Sequence, residues 1–295
     1  VFTVGILAGS EPESTGYLVE AFEAAMRRLG YDEGRNIAYQ RRWANGKLER
    51  LPDLAAELVR LRVDAILAST GVVIEAARNA TATIPIVMAL GVLNSLGDGW
   101  VASLAKPGGN LTGLIYTAGD HMNAKRLELL KQAVPAIAKV AVLTEVTLGP
   151  QTEAGARRLG LTLNVVHLRA ASDLPKALAQ IERERPDALY DAGGILGFLH
   201  RQRIADFMLA HRMAAIGTTR ETAQAGYLLA YSPDMRQSFR RAAIYVDKIL
   251  KGTPPGELPI EQPTTFELTV NAKTARALGI TVPRDVLLRA DEVIE

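Results

Sequence analysis

Residues 64–80 read DAILASTGVVIEAARNA. The apolar run Ala65-Ile66-Leu67-Ala68 has the length of a buried strand, and it stops at Ser69-Thr70-Gly71, where a helical pattern begins at once. Short hydroxyls and a glycine at a strand-to-helix junction suit two roles. They cap the helix, or they hold a ligand against the exposed amides of its first turn. One junction does not decide between these, so the pattern of the others matters.

Working outward, the alternation of strand and helix extends almost from end to end. A strand at Phe2–Ala8 precedes a helix from about Thr15 to Leu29, whose Leu18, Phe22, Ala25, Met26 and Leu29 share one face. Next come NIAYQRRW (36–43), a helix built on Leu51, Leu54, Leu58 and Val59, and the strand of the opening stretch. A helix at 72–80, the strand IPIVMAL (84–90), a helix near 96–105 and LTGLIYT (111–117) complete a first set. The same grammar then restarts, with helices at 121–134, 151–160, 173–184 and 197–212. Between and after them lie KVAVLTE (139–145), TLNVVHL (162–168), DALYDA (187–192), AAIGT (214–218) and YLLAYS (227–232). Such alternation predicts an α/β fold with parallel, doubly wound sheets covered by helices on both faces. Two consecutive sets predict two lobes joined by a hinge. A long helix at 233–251 leads into the Pro/Gly-rich KGTPPGELP (251–259), and a last strand and helix lie in TTFELTVNAKTARALGITVP (264–283). We expect 1–117 plus about 232–265 in one lobe and 118–231 plus about 266–295 in the other.

Composition narrows the functional classes. The 295 residues are 48% hydrophobic and 22% charged, and 34 basic against 32 acidic residues leave a formal charge of +2. No Lys/Arg cluster marks a nucleic-acid or membrane-surface partner. The chain has no cysteine, which removes thiol catalysis, zinc-thiolate sites, iron–sulfur clusters and disulfides. No apolar stretch approaches the ~20 residues of a membrane span. The chain opens on the strand-like VFTVGILAG with no basic, apolar leader.

The loops that follow the strands share one chemistry. Gly9-Ser10-Glu11, Ser69-Thr70-Gly71 and Gly91 through Asn94-Ser95 follow strands of the first set. Thr144-Glu145, Asp191-Ala192-Gly193-Gly194 and Thr218-Thr219-Arg220 hold the same places in the second. In doubly wound sheets ligands bind beyond these carboxyl ends, where helix N-termini point. A helix terminus contributes only roughly 0.3–1 kcal/mol to a bound anion, whereas micromolar binding needs about 8 kcal/mol. Burial and charge-assisted bonds must supply the rest. Arg220 is the candidate clamp for a carboxylate, and Trp43, Trp100, Tyr116, Tyr227 and Tyr231 are candidate aromatic walls. Tyr116 and Tyr231 stand where the chain is expected to cross between lobes.

Catalytic patterns are missing. There is no Gly-x-Ser-x-Gly elbow, Walker loop or His-Glu-x-x-His, and GILAGSEPES lacks the dinucleotide-binding glycine spacing. KPGGN (106–110) reads as a tight turn. His200 and His211 fall on one expected helix, too far apart to share a metal. No catalytic residue, cofactor or metal is expected.

Several segments together resemble the substrate-binding proteins of ABC transporters in the tryptophan-binding-protein-like family. They are RLPDLAAELVRLRVDAILA (50–68), VASLAKPGGNLTGL (101–114), AKRLELLKQAVP (124–135), the long block from FRRAAIYVDKILKG to ALGITVP (239–283) and LLRADEVIE (287–295). The likeness runs from about Gly30 to Glu295. It implies a two-lobed type I periplasmic binding-protein fold with three strand crossings, and a small ligand enclosed in the cleft by hinge motion. It further implies an extracytoplasmic monomer that hands the ligand to an ABC permease, export having removed a leader from the chain. Aromatic amino acids and related carboxylates are the ligand types implied. The chain departs from the family in the loops. Ser69-Thr70-Gly71 replaces Gly-Thr-Pro, Leu93-Asn94-Ser95 replaces Gly-Asp-Pro, and Gly193-Gly194-Ile195 replaces Pro-Asp-Pro. Glu145 stands where Asn is common and Asp191 where an apolar residue is common. Two acids are lost and two gained, so we expect a small carboxylate or amino-acid-like ligand that differs from the family's aromatic amino acids. The expected contacts are Ser10, Glu11, Thr70, Gly71, Asn94, Tyr116, Thr144, Glu145, Asp191, Gly193, Thr218, Arg220 and Tyr231. Two rival classes are a ligand-sensing domain of a regulator or receptor, and an enzyme on a two-lobed scaffold.

Overall fold

The computed structural model describes residues 1–91, 99–116 and 120–295. The chain divides into two compact units. Unit 1 holds Val1–Ala118 and Asp234–Thr264, and unit 2 holds Gly119–Pro233 and Thr265–Glu295.

The first passage through unit 1 forms β1 (Phe2–Ala8), α1 (Pro12–Arg28), β2 (Ile37–Trp43), α2 (Leu51–Arg60), β3 (Ala65–Ala68), α3 (Gly71–Ala80), β4 (Ile86–Gly91) and β5 (Leu111–Ile115). The sheet order is β2-β1-β3-β4-β5, with parallel neighbours throughout the described pairings. The sequence pattern explains the burial. The AILA run is buried on both faces, as a central parallel strand requires. At β5 the sheet depends on one glycine. Gly113 has φ +124°, and a side chain there would run into the backbone of Met88, beside the register shift between Met88 and Gly91.

Unit 2 begins with α4 (His121–Ala133), β6 (Lys139–Thr144), α5 (Pro150–Arg158), β7 (Thr162–His167), α6 (Leu174–Glu184) and β8 (Ala188–Asp191). It continues with α7 (Ile195–Leu199), α8 (Arg201–Ala210), β9 (Ala214–Gly217), α9 (Arg220–Ala225) and β10 (Leu229–Pro233). The chain then returns to unit 1 as α10 (Met235–Leu250). It ends in unit 2 with β11 (Phe266–Asn271), α11 (Ala272–Leu278), α12 (Arg284–Leu287) and β12 (Glu292–Ile294). The second sheet runs β12-β11-β10-β9-β8-β6-β7. It is mainly parallel, with an antiparallel seam at β10–β11.

Helix α10 belongs to the core of unit 1, where Phe239, Ala242, Tyr245 and Val246 pack with Phe22 and Met26 of α1. The Tyr31 hydroxyl donates to Asp247 at 2.9 Å and the Tyr245 hydroxyl to the Pro259 carbonyl at 2.6 Å. Helices α2 and α3 cover the other face of the same sheet through Leu54, Leu58, Val73 and Ile74. In unit 2 the last segment contributes Leu268, Val270, Ala275 and Val286 to a core built on Leu127, Leu130, Val140, Val142 and Tyr190.

Two expected helices differ. From 99 to 105 the chain runs in turns and bends, and residues 92–98, including Asn94, lie outside the described residues. Here backbone groups are taken by local and tail contacts: Ala102 N donates to the Pro107 carbonyl, and Ile260 N to that of Leu104. The helix expected at 197–212 is two, α7 and α8, broken at His200 (φ −102°, ψ 11°). His200 and His211 therefore flank α8 instead of sharing a helical face. KPGGN forms a turn with Gly108 and Gly109 at φ +67° and +69°.

Candidate functional site

The loops beyond the strand ends show, position by position, whether their polar groups cap the protein or stand unused. In unit 1, Ser10 is 5% exposed and its Oγ pairs with the Thr15 hydroxyl. Glu11 is the exposed N-cap of α1, and its backbone carbonyl, not its side chain, accepts from Ser14 and Thr15. Thr70 is the N-cap of α3 with extended backbone (φ −135°, ψ 173°), yet its side chain makes no capping bond. Its Oγ1 is buried with no hydrogen-bond partner among the described residues. A preferred capping residue that does not cap is an unmet polar group at a ten-residue helix whose first amides have no bond recorded among the described residues. Gly71 is the first residue of that helix. The Tyr116 amide donates to the Gly91 carbonyl at 2.7 Å, and its ring packs on the unit 1 core.

In unit 2 most of the loop chemistry is engaged. Thr144 Oγ1 donates to the Val146 carbonyl at 2.8 Å and accepts from Val146 N at 3.1 Å, closing a hydroxyl turn. Glu145 Oε1 accepts from Leu196 N at 2.6 Å and Gly197 N at 3.3 Å, so it caps α7. Burial pushes its carboxyl up to about 7, against the pull of the α7 amides. Asp191 is 2% exposed. It accepts from the Tyr227 hydroxyl at 2.8 Å and the Gly193 amide at 3.1 Å, and burial raises its carboxyl above the usual range. Gly193 and Gly194 take φ +86° and +126°. A side chain at Gly193 would meet Thr218 Oγ1 at 2.6 Å, and one at Gly194 would collide with Glu145. The loops after β6, β8 and β9 are thus packed against one another within unit 2.

Arg220 opens α9, and its guanidinium pairs in bidentate fashion with Glu292 of β12. The fork expected to hold a ligand carboxylate is here fastened to one from the C-terminal strand. Tyr231 stacks on Phe266 with centroids 5.7 Å apart. It also lines a cavity of about 680 Å³ with Met122, Lys125, Gln151, Arg158 and Leu159. None of the other expected loop contacts lines that cavity. Of the remaining aromatics, Tyr227 is fully buried, Trp43 packs on the core, and Trp100 carries the Arg78 guanidinium 5.0 Å from its ring centre.

Two residues escaped the sequence reading of contacts. Thr219, the extended N-cap of α9, makes no capping bond, and its buried Oγ1 has no partner among the described residues. Its signal was present, since it is a threonine at a strand-to-helix junction, but its neighbours Thr218 and Arg220 drew the assignment. Arg126 is 2% exposed and has no carboxylate within 4 Å among the described residues. Its Nε donates to the Tyr231 carbonyl at 2.8 Å, and its Nη1 lies 3.4 Å from both Asn123 Oδ1 and the Tyr190 hydroxyl. No local pattern marks it, because an arginine in a helix ordinarily faces solvent. Among the described residues no group of three or more His, Cys, Asp or Glu could hold a metal ion, and no helix is long and apolar enough to cross a membrane.

Known proteins place this arrangement. A "Tyrosine-binding protein" of Clostridioides difficile is 25% identical over 284 residues, covering 94% of this chain and 81% of its own length. Two crystal structures share the fold with TM-scores of 0.89, each covering 99% of both chains. One is a conserved domain protein of Vibrio cholerae at 23% identity, and the other an ABC domain from Streptococcus pneumonia in complex with L-Trp at 19%. The sequence model of the family described as ABC transporter substrate binding protein matches residues 3–294. With nearly every residue inside that match, the chain belongs to the ABC transporter substrate-binding protein family.

Proposed function

We propose that the chain is the extracytoplasmic solute-binding component of an ABC import system. It captures a small organic ligand of the carboxylate or amino-acid class, aromatic members included, and delivers it to a membrane permease. The observation that carries this reading is the Thr70 hydroxyl, buried and without a partner among the described residues at the N-terminus of α3. A buried hydroxyl without a partner costs about 1–3 kcal/mol, and a ligand group that bonds it recovers that cost. Family membership and the names of two relatives, a tyrosine-binding protein and a domain bound to L-Trp, support the ligand class. In this reading Arg220 braces the Thr218-Thr219 loop through Glu292, and it meets a ligand carboxylate only by exchanging that partner.

The test is a thermal-shift panel of amino acids, aromatic acids, dicarboxylates and short peptides on protein unfolded and refolded to strip carried ligand. A compound at a hundred times its Kd adds about 2.7 kcal/mol, which is several degrees at roughly 2–4 °C per kcal/mol. A hit that Thr70→Val abolishes supports the reading. Silence across the panel contradicts it.

A further inference from the structure

Asn45 is the one asparagine of this chain that precedes a glycine, and every other is followed by a residue with a side chain. The pair turns the chain just after β2. Ala44 N donates to the Ala8 carbonyl at 2.9 Å, which carries the β1–β2 pairing one bond further. Asn45 and Gly46 then take φ +54° and +73°, and Lys47 N donates back to the Ala44 carbonyl at 3.1 Å. Two consecutive left-handed residues closed by such a bond form a type I′ turn, for which Asn-Gly is the favoured pair. The Gly46 amide points out of the turn and donates to the Gly9 carbonyl at 2.9 Å. Gly9 opens the loop after β1. Because β1 pairs with β3 up to Leu7 and Ala68, the Gly9-Ser10 loop leaves the sheet beside Ser69-Thr70. Asn45 is exposed, and its side chain makes no hydrogen bond among the described residues.

We propose that Asn45 is a self-modification site, where attack by the Gly46 nitrogen turns the side-chain amide into a succinimide and frees the Gly9-Ser10 loop from the turn. The Gly46 nitrogen must first leave the Gly9 carbonyl, and a surface loop held by one such bond opens without unfolding its unit. It then gives its proton to hydroxide and attacks Asn45 Cγ, which glycine allows because no side chain shields the nitrogen. The new bond joins this nitrogen to Cγ, the bond from Cγ to Nδ2 breaks, and ammonia leaves. In the succinimide the Gly46 nitrogen carries no hydrogen, so its bond to the Gly9 carbonyl cannot re-form. Water next opens the ring at either carbonyl. Breaking the bond from nitrogen to Cγ leaves aspartate in an unaltered backbone. Breaking the other leaves isoaspartate, whose backbone runs through the former side chain and is one carbon longer, so that the Ala44–Lys47 turn no longer closes. Water is consumed and ammonia released, with nothing oxidised or reduced. The modification stands without any ligand, whereas its effect on capture, through the loops at Ser10 and Thr70, rests on the solute-binding reading above.

The experiment is incubation of the folded protein in mildly alkaline buffer, with peptide mapping by mass spectrometry and isoaspartate detection over several days. The expected result is a gain of one mass unit at Asn45 before any other asparagine, shared between aspartate and isoaspartate. In the isoaspartate form, hydrogen exchange over residues 44–47 should quicken severalfold. Asn45→Gly, which tolerates the left-handed backbone, should show neither change on the same incubation. Compounds that the fresh protein binds in the thermal-shift panel should bind the isoaspartate form severalfold more weakly and the incubated Asn45→Gly protein without loss. An Asn45 that stays intact while the urea-unfolded chain converts overturns the site, and conversion with unaltered exchange overturns the release of the loop. Equal binding by the fresh and converted forms overturns the link to capture and leaves the solute-binding reading standing. Failure of every compound to bind overturns that reading and leaves the modification standing.

Discussion

Thr70 separates two roles that a sequence joins. An N-cap threonine that bonds its helix ordinarily contributes about 1 kcal/mol, but the Thr70 hydroxyl bonds nothing among the described residues. Thr70→Val should therefore leave urea stability unchanged or raise it, while ligand-induced stabilisation disappears. A loss of 1 kcal/mol or more in ligand-free protein would show that the hydroxyl caps after all. Glu145 makes a different statement about pH. Its folded-state carboxyl is raised from 4.5 to about 7, so the native protein holds this proton more tightly than the unfolded chain. The resulting stabilisation is complete below about pH 4.5 and is lost as pH rises through 7. Glu145→Gln should thus gain on the wild type between pH 5 and 8, by about 3 kcal/mol at most. Parallel stability curves for the two proteins would remove this account. The residue types were legible here, but their use was not. Whether an oxygen is consumed or spare depends on neighbours far away in sequence, as Glu145 and Leu196 illustrate.

At the scale of elements, hydrophobic periodicity found the strands and the long helices because each buries one continuous face or stripe. It failed where the chain bends within a helical pattern. Leu196, Ile204 and Met208, at spacings of eight and four, are buried on either side of the α7–α8 break, and such a pattern is blind to a single kinked residue at His200. Strand β5 carries the sharpest element-scale prediction. Gly113→Ala places a methyl group against Met88 backbone at φ +124°, where neither the strand nor its partner has room to yield. It should destabilise unit 1 by at least 2 kcal/mol, read as a lower urea midpoint with an unchanged slope. A wild-type midpoint would mean that β5 re-registers on β4. At the edge of the other sheet, Arg220→Met removes a half-exposed ion pair with Glu292. Its cost should stay within about 1 kcal/mol.

For the whole molecule, the decisive feature is that unit 2 is completed by the last thirty-one residues, Thr265–Glu295. They supply β11 and β12 beside β10 and place Leu268, Val270 and Val286 in the core. A chain ending at residue 264 should lose the calorimetric transition of unit 2, while unit 1, whose α10 remains, keeps its own. Retention of both transitions would mean that β10 tolerates a bare edge and an opened core.

The sequence by itself determined the α/β class, the two repeating sets, the absence of thiol chemistry and the family. Each of these rests on composition, short-range period or a long specific match. Only the tertiary structure decided that Arg220 is paired, that Arg126 is a buried cation, that β10 and β11 run antiparallel, and that Thr70 and Thr219 keep unpartnered hydroxyls. The physical reason is common to all four. Pairing and burial are properties of groups brought together from distant positions in the chain, and no local pattern records which of them will meet.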